Sequence, residues 1–135
     1  MNDSVFFDTT ILIYAISSSD PRAAVAEELL AAGGHIGVQV LNEFASVARR
    51  KLKMSWDEIA EALAAIRALC HTPVPLTVAI HERALDIAAS HRYNIYDALI
   101  LAAAIDAECN TLYSEDMHDG HAIGPIAIRN PFVAR

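Results

Sequence analysis

The stretch Asn94-Ile95-Tyr96-Asp97-Ala98-Leu99-Ile100-Leu101-Ala102-Ala103-Ala104-Ile105 sets the terms for the whole chain. From Ala98 to Ile105 it is apolar on every side, and a helix apolar all round belongs in an interior. Its one acid, Asp97, stands at the N-terminal edge, where unpaired N–H groups and the helix macrodipole favour negative charge. The expectation is a buried helix that presents one ionised carboxylate at a fixed point. The rest of the chain has to supply elements that wrap it.

Those elements alternate. Val5-Phe6-Phe7 suits a short buried strand, and Asp8-Thr9-Thr10 leads from it into helical spacing at Ile11, Leu12, Tyr14 and Ala15. Asp20-Pro21 reads as an N-cap acid and a first-turn proline for a helix over Ala23–Ala32, stopped by Gly33-Gly34. His35-Ile36-Gly37-Val38 is a second strand candidate, after which Val40, Leu41, Phe44, Val47 and Ala48 keep helical period. Ser55-Trp56-Asp57-Glu58 is a capping box opening a helix to about Cys70. Thr72–Leu76 is extended, with any strand there at an edge or very short. Thr77 caps a helix from Val78 to about His91. Thr111-Leu112-Tyr113 and Ile126-Ala127-Ile128 are further strands, with a polar loop from Met117 to Gly124 between them. Strands alternating with helices predict an α/β fold, three layers α/β/α around a short central parallel sheet, as a single domain over residues 1–135.

In open α/β sheets, ligands bind at the carboxyl ends of the strands. Asp8 ends the first strand, Glu43 lies in the first turns of the helix after the second, Asp97 opens the buried helix, and Asp116 and Asp119 follow the third. The topology brings these acids to one edge. Two unit charges about 4 Å apart repel by about 1 kcal/mol in water and about 4 kcal/mol at an effective dielectric of 20. Three or four carboxylates together must therefore be protonated, solvated apart or neutralised by a cation. An all-oxygen set selects a hard ion, Mg²⁺ or Mn²⁺, and such an ion points to phosphodiester chemistry by a metal-activated water. Asp8, Asp97 and Asp116 read mainly as ligands, directly or through water, and Glu43 as the leading candidate to orient or deprotonate the water, although the sequence alone does not separate these roles. His118 and His121 lack a second pair and read as solvated loop side chains, and Glu115 as a solvent-facing loop acid.

Composition bears on partners. The formal net charge of −7 counts against generic duplex binding but leaves room for a local basic strip, and Arg49, Arg50, Lys51 and Lys53 form the only dense one, a candidate RNA-backbone contact. The 54% hydrophobic content, inflated by alanine, is consistent with an extra buried face such as a dimer or partner contact. Trp56 and Phe44 read as core or interface. Cys70 and Cys109 form no C-x-x-C pair and suit a reducing cytoplasm. The first residues lack the basic region of a signal peptide, and no run approaches the roughly 18 apolar residues of a membrane helix. A cytoplasmic protein with no membrane partner is the expectation.

Phe6-Phe7-Asp8-Thr9-Thr10, Leu41-Asn42-Glu43-Phe44, Ile95-Tyr96-Asp97-Ala98-Leu99-Ile100, Leu112-Tyr113-Ser114-Glu115-Asp116-Met117, Asp119-Gly120 and Asn130-Pro131-Phe132 occur in this order. Together they resemble a PIN domain, and within that group a VapC-type toxin nuclease. The resemblance covers nearly the whole chain. It implies a metal-dependent endoribonuclease acting on RNA, a homodimer, held inactive by a cognate antitoxin. By position it makes Asp8, Glu43, Asp97 and Asp116 the metal-site acids, with Asp119, Ser114 and Thr10 as auxiliary groups. Thr10 departs from the pattern, which often has Asn or Ser there, but keeps a hydroxyl. Two other readings compete. A phosphohydrolase of the haloacid dehalogenase kind would use Asp8 as nucleophile, but it wants an acid at position 10 and a later lysine, and no lysine follows Lys53. A non-catalytic module binding RNA or protein leaves the recurring acids unexplained.

Overall fold

A computed structural model describes residues 4–133. The chain runs β1 (Val5–Phe7), α1 (Thr9–Ala15), α2 (Ala23–Ala32), α3 (Val38–Arg50), α4 (Trp56–Leu69), α5 (Val78–His91), α6 (Ile95–Asp106), β2 (Thr111–Tyr113), β3 (Ala122–Ile123) and β4 (Ile126–Arg129). The sheet order is β1-β2-β4-β3. β1, β2 and β4 are parallel, in the register Phe7↔Tyr113↔Arg129, as the alternation of elements predicts. The stretch 117–124 is not wholly loop: Ala122–Ile123 pairs antiparallel with β4 and makes an edge. A two-residue strand carries no periodicity by which a sequence could announce it.

The second predicted strand is smaller than expected. His35 bridges Phe6 and Gly37 bridges Val74, each a single parallel pair, and α3 already starts at Val38. These bridges extend the sheet beyond β1, with Phe7 N–H donating to the His35 carbonyl at 2.9 Å and Val74 N–H to that of Ile36 at 2.9 Å. Gly34 permits the close approach, since a Cβ there would stand 2.5 Å from a ring carbon of Phe7. The Asp20-Pro21 expectation also shifts. The α2 N-cap is Arg22, which makes no side-chain cap, while Asp20 accepts from the Arg22 N–H in the preceding turn.

α6 is the buried element foreseen. Ala98 and Ile100–Ala104 are all buried, α5 packs along one side, and α3 and β4 meet it elsewhere. Ile100 and Leu101 are fully enclosed. Each contributes about 1.5–3 kcal/mol by leaving water. The alanines let neighbours close in, and the Ala103 methyl would touch a Cβ at Gly37. Capping is local and clear: Ser55 and Glu58 complete a reciprocal box on α4, and Thr77 accepts from Ile80 N–H on α5. Among the described residues no helix is long and apolar enough to cross a membrane.

Candidate metal centre at the carboxyl edge of the sheet

Asp8 follows β1 directly. Its backbone N–H donates to the Tyr113 carbonyl, so sheet pairing still holds it while its side chain caps α1. One carboxylate oxygen accepts the Thr9 N–H at 2.7 Å and the other the Ser114 hydroxyl at 2.6 Å. The register that pairs Phe7 with Tyr113 puts Asp8 level with Ser114, and Ser114 in turn accepts the Met117 N–H. Asp8 is only 3% exposed. Burial pushes its carboxyl up from 3.8 to about 7; the bonds from Ser114 and Thr9 pull it back, and the charges of Asp97 and Glu43 add to the rise.

Three further acids reach the same cleft. Glu43 projects from α3, one oxygen accepting the Thr9 hydroxyl at 3.2 Å and the other the Gln39 amide at 2.9 Å. Asp97 lies in the first turn of α6. Asn94, not Asp97, is the N-cap: its carbonyl accepts the Asp97 N–H at 2.9 Å and its amide donates to the Asp97 carboxylate at 3.0 Å. Burial raises the Asp97 carboxyl, Glu43 raises it further, Asn94 lowers it and Asp116 raises it. Asp8, Glu43, Asp97 and Asp116 all line a cleft of about 300 Å³, together with Thr9, Thr10, Tyr14 and Lys51. Among the described residues none of these four acids is ion-paired.

The acids share a wall without closing into a ligand cluster. Among the described residues no group of three His, Cys, Asp or Glu side chains is placed to hold a metal ion. Each of Asp8, Glu43 and Asp97 accepts a hydrogen bond from a neutral donor beside it, which fixes its direction along the wall. The donor set itself fits a hard divalent ion: the cleft is lined by carboxylates and hydroxyls, with no cysteine or histidine on its wall.

Other predicted positions fare differently. Thr10 lines the cleft, but its hydroxyl accepts the Glu115 N–H at 3.2 Å; Thr9 is the threonine that reaches an acid. Asp119 does not line the cleft, and its carboxylate accepts the Asn130 N–H at 2.8 Å, tying the loop to the end of β4. Of the basic strip, Lys51 lines the acid cleft and Arg50 the hollow beside it. Arg49 instead bonds the Met54 carbonyl and lies over the Trp56 ring, and Lys53 lines neither. Trp56 is exposed, not core, whereas Phe44 is fully buried. Glu115 is not solvent-facing: it accepts from the Tyr14 hydroxyl and from Arg22 at 2.8 Å, and Arg22 also grips Asp20. His118 and His121 gather with Tyr93 and His91 at ring spacings near 6 Å and do not line the acid cleft. Thr9, Gln39 and Asn94 are the working neighbours that sequence reading missed. Only Asn94 left a signal, an Asn three residues before an acid at a helix start.

The PIN domain family model matches residues 5–118, which contains all four acids. The chain belongs to the PIN domain family. This membership displaces the haloacid dehalogenase alternative. Several solved structures share its architecture. The chain is similar to VapC20 of Mycobacterium tuberculosis, described as a sarcin-ricin loop cleaving toxin (24% identity, TM-score 0.67, 84% of this chain and 90% of that one). It is similar to a toxin–antitoxin complex from Klebsiella pneumoniae (22% identity, TM-score 0.71, 96% and 98%). It is also similar to VapBC2 of Rickettsia felis, solved bound to a DNA fragment from its promoter (19% identity, TM-score 0.68, 93% and 97%). At these identities the likeness is one of fold. No curated protein matches the chain.

Proposed function

We propose that this PIN domain is a divalent-metal-dependent endoribonuclease, the toxin of a toxin–antitoxin pair. The observation that carries this reading is the gathering of four carboxylates without ion pairs on one small cleft, at the sheet edge where α/β proteins bind ligands. PIN-domain nucleases generally use divalent metal ions. Mg²⁺ or Mn²⁺ held by Asp8, Asp97 and Asp116 would supply an activated water and offset charge on the phosphate oxygens. The chain's own residues do the rest. Ser114 and Thr9 fix the Asp8 carboxylate so that it meets the cleft in one orientation. Asn94 does the same for Asp97. Glu43, held through both oxygens, orients the attacking water and takes its proton as the new bond to phosphorus forms and the bond to the leaving oxygen breaks. Lys51 on the cleft wall draws in the RNA backbone.

The fold neighbours solved as toxin–antitoxin complexes support a cognate antitoxin as partner, and a homodimer is part of the same proposal. The deciding experiment incubates purified protein with a mixed RNA pool, with and without Mg²⁺ or Mn²⁺, and maps the new ends. Cuts that require metal and vanish in Asp97→Asn are expected. RNA binding with no cleavage in any divalent metal would overturn the enzyme and leave a binding module.

A further inference from the structure

Beside the acid cleft lies a second hollow of about 550 Å³, within the roughly 300–1,000 Å³ of small-ligand sites. The two are contiguous, since Glu43, Val47 and Asp97 line both. The hollow's chemistry is different. Gln39, Asn42, Ser46 and Arg50 come from one face of α3 at helical spacing, and Tyr96 faces them from the start of α6. Tyr96 is 61% exposed, an aromatic ring left uncovered two residues from the N-cap of a buried helix. Among the described residues the Asn42 side chain has no hydrogen-bond partner, and of the Gln39 side chain only the amide nitrogen is engaged, leaving its side-chain carbonyl available.

Glu43 and Asp97 on the shared wall disfavour a phosphate within the hollow itself, whose one lining cation among the described residues is Arg50, and leave its interior to an uncharged flat group. An aromatic face stacks any base, and a primary amide offers a donor and an acceptor side by side, the pattern of a base edge. Arg50 on the hollow and Lys51 on the cleft place one cation in each compartment, so a strand can keep a phosphate near each while one base turns inward. We propose that the hollow bounded by Tyr96, Asn42 and Gln39 is a nucleobase subsite that seats one unpaired base of single-stranded RNA next to the phosphate to be cut. The proposal deepens the ribonuclease reading and rests on it for the position of the cut. It puts a requirement for one unpaired base at a fixed place beside the cut.

The test pairs Tyr96→Ala, Tyr96→Phe, Asn42→Ala and, as a control outside the hollow, Trp56→Ala with short single-stranded oligoribonucleotides, the same sequences as duplexes, and a set with one abasic residue moved along the strand. Binding is read by fluorescence anisotropy in EDTA, and cleavage by gel in Mg²⁺. Tyr96→Ala should weaken single-strand binding by about tenfold and raise KM more than it lowers kcat, with Tyr96→Phe and Trp56→Ala near wild type. An abasic residue at one position beside the cut should mimic Tyr96→Ala and add little to it. Wild-type affinity and cut sites in both Tyr96→Ala and Asn42→Ala would overturn the subsite. So would loss of self-association by sedimentation in Tyr96→Ala with RNA affinity intact, since the ring would then serve a copy-to-copy contact. If the wild type cuts no RNA in any divalent metal, the ribonuclease reading fails by itself. The EDTA binding arm still decides whether an unpaired base sits on Tyr96.

Discussion

Two groups of carboxylates in this protein are treated in opposite ways. Asp20 and Glu115 share Arg22, each at 2.8 Å, and Glu115 also accepts the Tyr14 hydroxyl. The Arg22 guanidinium and backbone N–H hold Asp20 down to about 2, and burial together with Glu115 pushes the Tyr14 phenol up to about 12. In the neighbouring cleft Asp8, Glu43, Asp97 and Asp116 share a wall, among the described residues none of them has an ion-pair partner, and burial drives Asp8 up to about 7. The chain has the means to neutralise acids with its own cation and does so beside the cleft but not within it. A charge deficit kept in one place and corrected nearby marks the uncorrected place as a site for something that arrives from solution.

The contrast can be broken most severely at the acids. Asp8→Asn or Asp97→Asn should cut metal-dependent RNA cleavage by well over the roughly 100-fold that losing a ligand's supporting partner costs, with an unchanged circular dichroism spectrum. Wild-type rates in either variant would remove the residue from the machinery. The next largest effect concerns stability and has a definite sign. Asp8 binds its proton more tightly folded, at about 7, than unfolded, at 3.8. Its contribution is therefore full below about pH 4 and is lost as pH rises through 7. Asp8→Asn, which keeps an oxygen for the Thr9 N–H, should stabilise metal-free protein at pH 8 by about 2–4 kcal/mol and much less at pH 4. Urea melts in EDTA at the two values check it, and a pH-independent difference would refute the strain at Asp8.

Millimolar Mg²⁺ or Mn²⁺ should raise the melting temperature at neutral pH, by about 1–3 kcal/mol of linkage at ten to a hundred times Kd. Thermal scans with matched NaCl separate this from screening, and the gain should disappear in Asp97→Asn. At the corrected wall the smallest effect is expected. Arg22→Ala should lower the melting temperature slightly, and added salt should shrink the difference, as for exposed ion pairs generally. A larger loss than that from the acid substitutions would mean that the clamp, not the cleft, is the sensitive region.

Local chemistry in this chain was legible, while distant chemistry was legible only where the sheet topology dictates it. The buried helix, the Ser55–Glu58 box and the cap at Thr77 each depend on residues within a turn or two, and all can be read from spacing. The convergence of acids was legible as well, because strand ends in a parallel sheet share an edge. Glu115 was misread because its partner Arg22 is 93 positions away and nothing near either residue announces the pair. Thr9 and Thr10 differ by about 100° around α1, and only the docked helix decides which hydroxyl meets Glu43 and which meets the Glu115 N–H. The antiparallel β3 and the single bridges at His35 and Gly37 are too short to carry a pattern of their own.

The hydrogen bond from Ser114 to Asp8 joins positions 106 residues apart. A ribosome places Asp8 in the chain 106 residues ahead of its clasp, so a chain halted between the two carries the acid without the hydroxyl that helps to aim it. On the proposed reading, no active blade exists until the segment carrying Ser114 and Asp116 has been made, and fragments halted before it spare the cell's RNA.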